Sequence, residues 1–505
     1  MNRRARIALA VATVAIVAAG PGAAFASWAA GGAGFGYSKG RTMPTGNQPT
    51  ASVTGRNVTV SWTAASFSGG PAVSGYRVTR YSGGTGSTPG ASCNGTIGAL
   101  TCTENAVDPG TYTYTDAPSQ GLWNGAESPK SSSIVVGSPA FSLTAPTWIA
   151  SLPTTLSGSV ANYVAGETVT FRLDDATSGT VLTGSTTPST IPTSGSATTS
   201  TTIPNGTSDG THAVYAVGSS GASTASASIQ IDRTAPTIST KAVIKSQGGT
   251  AGYVKQGGTY YVYANVTDAT SGVSTVTADV STITTGATSV ALSSGSWTIR
   301  GVTYNYRSAL RTATNPLAAG SKSFTVTATD VAGNSTAPSG SATVDNTAPT
   351  ATDIQATNTS GLTAGKADTG DIVTWTYSEP IEPESLVAGW DGTAMTVTLR
   401  IQNNAGGDRI QIRNAASSAA YANGTTVLPS TGYVTAQVNF TSSTMTMSGS
   451  TLVVVLGTPS APGSVGTVVT TCTITYTPVN TLYDRAANAC STTTANETGA
   501  ADVEF

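Results

Sequence analysis

The chain has 505 residues, enough for about three to five domains. Only 10% of them are charged and the net charge is −2, so there is no basic stripe and no nucleic-acid partner is expected. Thr and Val are frequent and alternate, a strand signature that argues against a disordered chain.

The first element is an export signal. "MNRRAR" is a basic leader, "IALAVATVAIVAAG" (7–20) an apolar stretch too short for a membrane span, and "AFA" a small-x-small cleavage site. A signal peptide over 1–26 is therefore expected, cut between Ala26 and Ser27, with a Gly-rich linker over 27–41. The mature protein is expected to carry no membrane span, since the given C-terminal stretch "ADVEF" shows neither an apolar tail nor a sortase-type motif. It is expected to be secreted, or held on the cell surface non-covalently.

In "RNVTVSWTA" (56–64), Val58, Val60 and Trp62 alternate with Asn57, Thr59 and Ser61, the pattern of a half-buried strand. "GYRVTRY" (75–81), "VDPGTYTYTD" (107–116) and "GAES" (125–128) follow. Together these stretches resemble a fibronectin type III module over 42–137. That resemblance implies a tyrosine corner, and the spacing leaves open whether Tyr112 or Tyr114 forms it.

Farther on, "VTFRLDDATSG" (169–179) and "VYANVTDATSG" (262–272) share one inward series. Val169, Phe171 and Leu173 match Val262, Ala264 and Val266. "GTHAVYAV" (210–217) likewise matches "GSKSFTVT" (320–327), pairing Val214 and Ala216 with Phe324 and Val326. Residues 138–234 and 235–347 thus read as two copies of one unit, the second with a longer insert. With "DVAGN" (330–334) in the second copy, they resemble bacterial Ig-like repeats. A last module, 348–505, places Val373, Trp375 and Tyr377 on one strand face and resembles Ig-like domains with a "SEPI" strand end, found in surface-layer and adhesive proteins. The expected fold is all-β, four tandem β-sandwiches.

The tetrapeptide "TAPT" recurs at 144–147, 234–237 and 347–350. Pro ends ladder pairing and forces its predecessor to extend, so each copy is expected where one module's last strand ends and the next begins. Four abutting sandwiches would make a rod on the order of 100–140 Å at ~3.3 Å per strand residue.

Candidate chemistry is sparse. Cys93/Cys102 and Cys472/Cys490 are expected to form two local disulfides, and the pair spacings do not suit zinc. The single His, His212, has no acid beside it in sequence and reads as a strand-edge residue. Asp174 and Asp175 diverge at a strand end, while Glu379, Glu382 and Glu384 crowd a Pro-rich turn and read as solvated charges. Asp268, Asp330, Asn334 and Asp345 offer the oxygen ligands calcium needs, but Asx turn chemistry is the favoured reading of such residues. Tyr261 and Tyr263 point away from the inward set and form a candidate surface for sugar or a partner, unless the insert with Trp297, Tyr304 and Tyr306 covers them. No metal, cofactor or catalytic group is assigned. The expected function is a non-catalytic structural or adhesive rod, with other surface proteins or cell-wall or environmental polysaccharide as partners. The alternatives are a polysaccharide-binding accessory protein linked to polysaccharide degradation and, last, a glycoside hydrolase.

Overall fold

The computed structural model describes residues 40–505. The signal peptide 1–26, its cleavage point Ala26/Ser27 and most of the 27–41 linker lie outside the described residues. Regular structure among the described residues is strand, with three short 3-10 turns. No described helix is long and apolar enough to cross a membrane. The chain forms two compact units, one ending at Arg233 and one spanning Thr234–Phe505. Each holds two β-sandwiches with separate apolar cores.

The first sandwich sets the sheet Thr50–Thr54, Asn57–Ser61 and Thr101–Glu104 against a sheet built on Gly75–Ser82 and Gly110–Gln120. Val58, Val60 and Trp62 fill the space between them with Tyr76, Val78, Tyr112 and Tyr114. Period-two alternation places these side chains on one face, where burial is worth about 1.5–3 kcal/mol each. The Cys93–Cys102 disulfide is formed. The Tyr112 hydroxyl donates to the Asp108 carbonyl at 3.0 Å, a bond to backbone a few residues upstream. Tyr112 therefore has the corner geometry, whereas Tyr114 donates to Glu104 Oε2 inside the core.

The second sandwich is a seven-strand path from Ala140–Thr144 to Thr224–Ile231. Its strand Thr180–Thr187 crosses between faces. The first part pairs with Val169–Leu173 and the rest with Ala197–Ile203. Phe171, Leu173, Val214 and Ala216 lie in the core. One expectation fails here. Ala140–Thr144 pairs with Thr154–Ala161 of the same sandwich, so TAPT 144–147 follows this module's first strand and marks no boundary. The Pro still ends a strand, but the chain turns back into the same sandwich. TAPT 234–237 and 347–350 do fall between one last strand and the next first strand.

The two sandwiches of the first unit meet through Arg56, which is 1% exposed. Its Nε donates to the Val107 carbonyl, its Nη2 pairs with Asp108, and its Nη1 reaches the Ala222 carbonyl of the second sandwich at 2.6 Å. Beside it Gly55 and Gly195 lie backbone against backbone. A Cβ on Gly195 would fall 2.6 Å from the Gly55 Cα.

In the second unit, Val262, Ala264, Val266, Phe324 and Val326 form the third core. The fourth centres on Val373, Trp375 and Tyr377. Trp375 Nε1 donates to Thr426 Oγ1 at 2.9 Å, and Tyr377 and Tyr476 share a hydroxyl contact at 2.9 Å. Every buried polar tip in this aromatic group thereby gains a partner. Strand pairing in the described residues stays within the four strand groups.

Candidate functional site

The tyrosine surface does not survive folding. Tyr261 and Tyr263 do point away from the core, but the hairpin Val290–Ile299/Val302–Ser308, which pairs beside their strand in the same sheet, brings the Trp297 and Tyr304 rings against Tyr263. Tyr263 is 4% exposed and packs with Ala242, Ile244 and Tyr304, with Trp297 and Tyr261 against them. The Arg307 guanidinium sits 4.5 Å from the Tyr261 ring centre and 4.6 Å from that of Trp297. The outer face of this sheet thus carries a second, small core.

Cys472 and Cys490 are free thiols, against the expected disulfide. They flank a short antiparallel pair, Thr475–Thr477 with Ala495–Asn496, in which Tyr476 faces Ala495. That register sets Cys472 several rungs from Cys490, beyond the ~7 Å that disulfide Cα atoms can span. Cys472 instead contacts Tyr433 Oη and Glu504 Oε1, each at 3.8 Å. Burial raises the Cys490 thiol to about 11.

His212 does meet an acid, which its sequence neighbours did not reveal. Nδ1 lies 2.9 Å from Asp174 Oδ2. Nε2 lies 3.0 Å from the Ser208 carbonyl oxygen and 3.3 Å from the Ser208 hydroxyl. The nitrogen that would take a hydroxyl proton is thus engaged by a carbonyl, and the ring clips two loops together. Asp175 points elsewhere and caps Thr177 and Ser178.

The four candidate calcium ligands do not form one site. Asp330 pairs across from Val273, while Val344, next to Asp345, pairs with Gly320. They occupy opposite ends of the 11-residue strand Gly320–Asp330, roughly 30 Å apart. At one end Asp268 caps Thr270 and Gly272, and Asp330 accepts from the Asn334 backbone and side-chain amides. At the other, Asp345 meets Glu379 and Asp484 of the fourth sandwich, each offering an oxygen within 4.8 Å of the others. Asp484 opens "DRAAN" and is capped by Asn488 as Asp330 is by Asn334. Burial, then Asp345 and Asp484, push Glu379 up to about 7.

The most developed site is the joint between the third and fourth sandwiches. The turn carrying Glu382 and Glu384 is not solvated around Glu382. Lys245 and Glu382 side chains are 2% and 0% exposed, with Nζ 2.6 Å from Oε2. Lys245 also donates to the Arg485 carbonyl at 2.9 Å, and the Thr250 amide donates to Glu382 Oε2 at 2.8 Å. Arg300 pairs with Glu382 and lies 3.6 Å from Glu384. Lys255 donates to the Ala487 carbonyl and Asn488 to that of Asp345. Arg300 heads the turn of the insert hairpin with φ 47, followed by Gly301 at φ 77. Both central residues are left-handed, as a tight two-residue hairpin turn demands. Here is a cleft of about 610 Å³, bordered by Gln247, Gly249, Arg300, Glu384 and Asp391. Burial lowers the Lys245 ammonium, and Glu382 opposes that shift. Lys245 and Arg300 had gone unnoticed in the sequence. Their one signal is a Lys closing the apolar run "AVIK" in a chain this poor in charge.

No protein-family profile matches the chain, and no curated protein does. Among solved structures, a tetra-tandem repeat from the extending region of a large adhesion protein is 15% identical. It covers 91% of this chain and 99% of its own, with a TM-score of 0.23. The Escherichia coli adhesin FdeC is 14% identical over 72% of this chain and 97% of its own, with a TM-score of 0.27. Scores this low carry no residue, ligand or role to this protein.

Proposed function

We propose that this protein is an exported, non-catalytic structural or adhesive rod of the cell surface or extracellular matrix, divided into modules 42–137, 138–234, 235–347 and 348–505. The observation that carries the proposal is the buried Lys245–Glu382 pair, in which one sandwich supplies the cation and the next the anion. Arg56 plays a similar part between the first two, reaching the Ala222 carbonyl. Modules strung on loose linkers have no use for fully desolvated contacts of this kind. A passive spacer that must hold neighbours in register does. Buried pairs are also screened little by salt, which suits a protein working outside the cell.

Small-angle scattering of the chain from residue 27, at low and high salt, tests this. One extended particle of constant maximum dimension is expected. A compact particle, or one whose dimension changes with salt, would sink the proposal. The polysaccharide alternative rests on the Tyr261/Tyr263 face, where Tyr263 is buried and Tyr261 half-buried. Retention of the chain on insoluble glycans would nevertheless restore that alternative.

A further inference from the structure

A second acidic group in the fourth sandwich does no work in the joint. The Glu497 amide donates to the Ile474 carbonyl at 2.9 Å, and the Cys472 amide to that of Asp502 at 2.8 Å. These bonds fold segment 497–504 along Cys472–Ile474, with Gly499 at φ 106 inside the bend. Glu497, Asp502 and Glu504 then each present a carboxylate oxygen within 4.8 Å of the others. Two oxygens each bound at about 2.4 Å to one ion can be no farther apart than that.

The surroundings ask for positive charge. Glu504 is 0% exposed, and its Oε2 has no hydrogen-bond donor. Its Oε1 takes the weak Cys472 thiol contact at 3.8 Å, and the Glu497 carboxyl lies within hydrogen-bond reach of this group. Glu497 Oε2 accepts from the Ile474 amide at 3.3 Å. Asp353 adds a further negative charge beside Glu497. Among the described residues no Lys or Arg forms an ion pair with any of the four. A buried carboxylate left in this state is costly unless something neutralises it. Two means exist, a shared proton or a cation. Asp502 is exposed, which gives an ion an entry path and room for water ligands.

We propose that Glu497, Asp502 and Glu504 bind a hard divalent cation, calcium being the probe. Three carboxylates with open positions for water form an oxygen-only set of the kind calcium takes. The Cys472 thiol stays outside the set, because a hard cation takes oxygen ligands in preference to sulfur. The site is independent of the rod proposal, since it lies within one sandwich and binds whether or not the modules are in line.

The experiment uses the chain from residue 27, stripped with chelator. Terbium is titrated in, with nearby Tyr433 as sensitiser, and is then displaced by calcium; calcium uptake is also followed by calorimetry and melting. Wild type is expected to bind calcium at this site and to melt at a higher temperature as calcium rises. Asp502→Asn, at an exposed position that folding tolerates, should weaken that site at least tenfold. Glu504→Gln should abolish it, and Glu379→Gln, at the separate acidic group, should leave it intact. The proposal is overturned if Asp502→Asn and Glu504→Gln bind calcium as wild type does. It is equally overturned if wild type takes up no calcium, in which case Glu504→Gln is expected to melt higher than wild type at pH 8. That result would assign a shared proton to the pair Glu497 and Glu504.

Discussion

Glu382 has no exposed side-chain surface and faces two cations, Lys245 and Arg300. Removing one member of such a group strands the other charge without water, which costs about 3–5 kcal/mol. Glu382→Ala should therefore lower the urea stability of the second unit by that amount. The double variant Lys245→Met with Glu382→Leu, which leaves no stranded Lys, should recover most of it. Glu379 makes the opposite kind of prediction. Its folded titration lies near 7, above the usual 4.5, because burial and the carboxylates Asp345 and Asp484 disfavour its charge. A raised acid binds its proton more tightly when folded, so its contribution is complete below about pH 4.5 and is lost as pH rises through about 7. With chelator present, melting temperature should fall across that window more steeply in wild type than in Glu379→Gln. Equal slopes would show that Glu379 titrates normally.

At the scale of elements, the insert hairpin Val290–Ile299/Val302–Ser308 does two jobs. Its inner side covers Tyr263, and its turn delivers Arg300 to the neighbouring sandwich. Its aromatic residues and the tyrosine face they could cover were both legible in the sequence; whether the one closes on the other was not. Period-two patterning says which residues share a face, never whether a second layer lies over it. The Gly55–Gly195 contact is another property of assembled elements. Gly195 has φ 72, and a Cβ there would strike the Gly55 backbone. Gly195→Ala should destabilise the first unit by about 1–3 kcal/mol, combining overpacking with left-handed strain. Circular dichroism in urea would measure it, and an unchanged midpoint would mean that the two sandwiches do not touch there.

For the whole molecule the consequence is coupled unfolding. Sandwiches three and four share the Lys245–Glu382 contact, while sandwiches one and two share Arg56. In calorimetry, Glu382→Ala should split or broaden the transition of the second unit and leave that of the first unchanged. A uniform shift of both would indicate a general loss of stability rather than a broken joint.

The sequence by itself determined the all-β class and the inward faces of the four main cores. Val58, Phe171, Val262 and Trp375 all lie where alternation put them, because a strand's facing is a local, two-residue property. Only the tertiary structure decided the rest. It separated Cys472 from Cys490, brought Asp174 to His212, moved Asp345 away from Asp330 and toward Glu379, and buried Lys245 against Glu382. Each of these depends on register or on contacts between residues far apart in the chain. Such pairings are set by how sheets stack and modules abut, and a local pattern carries no trace of them.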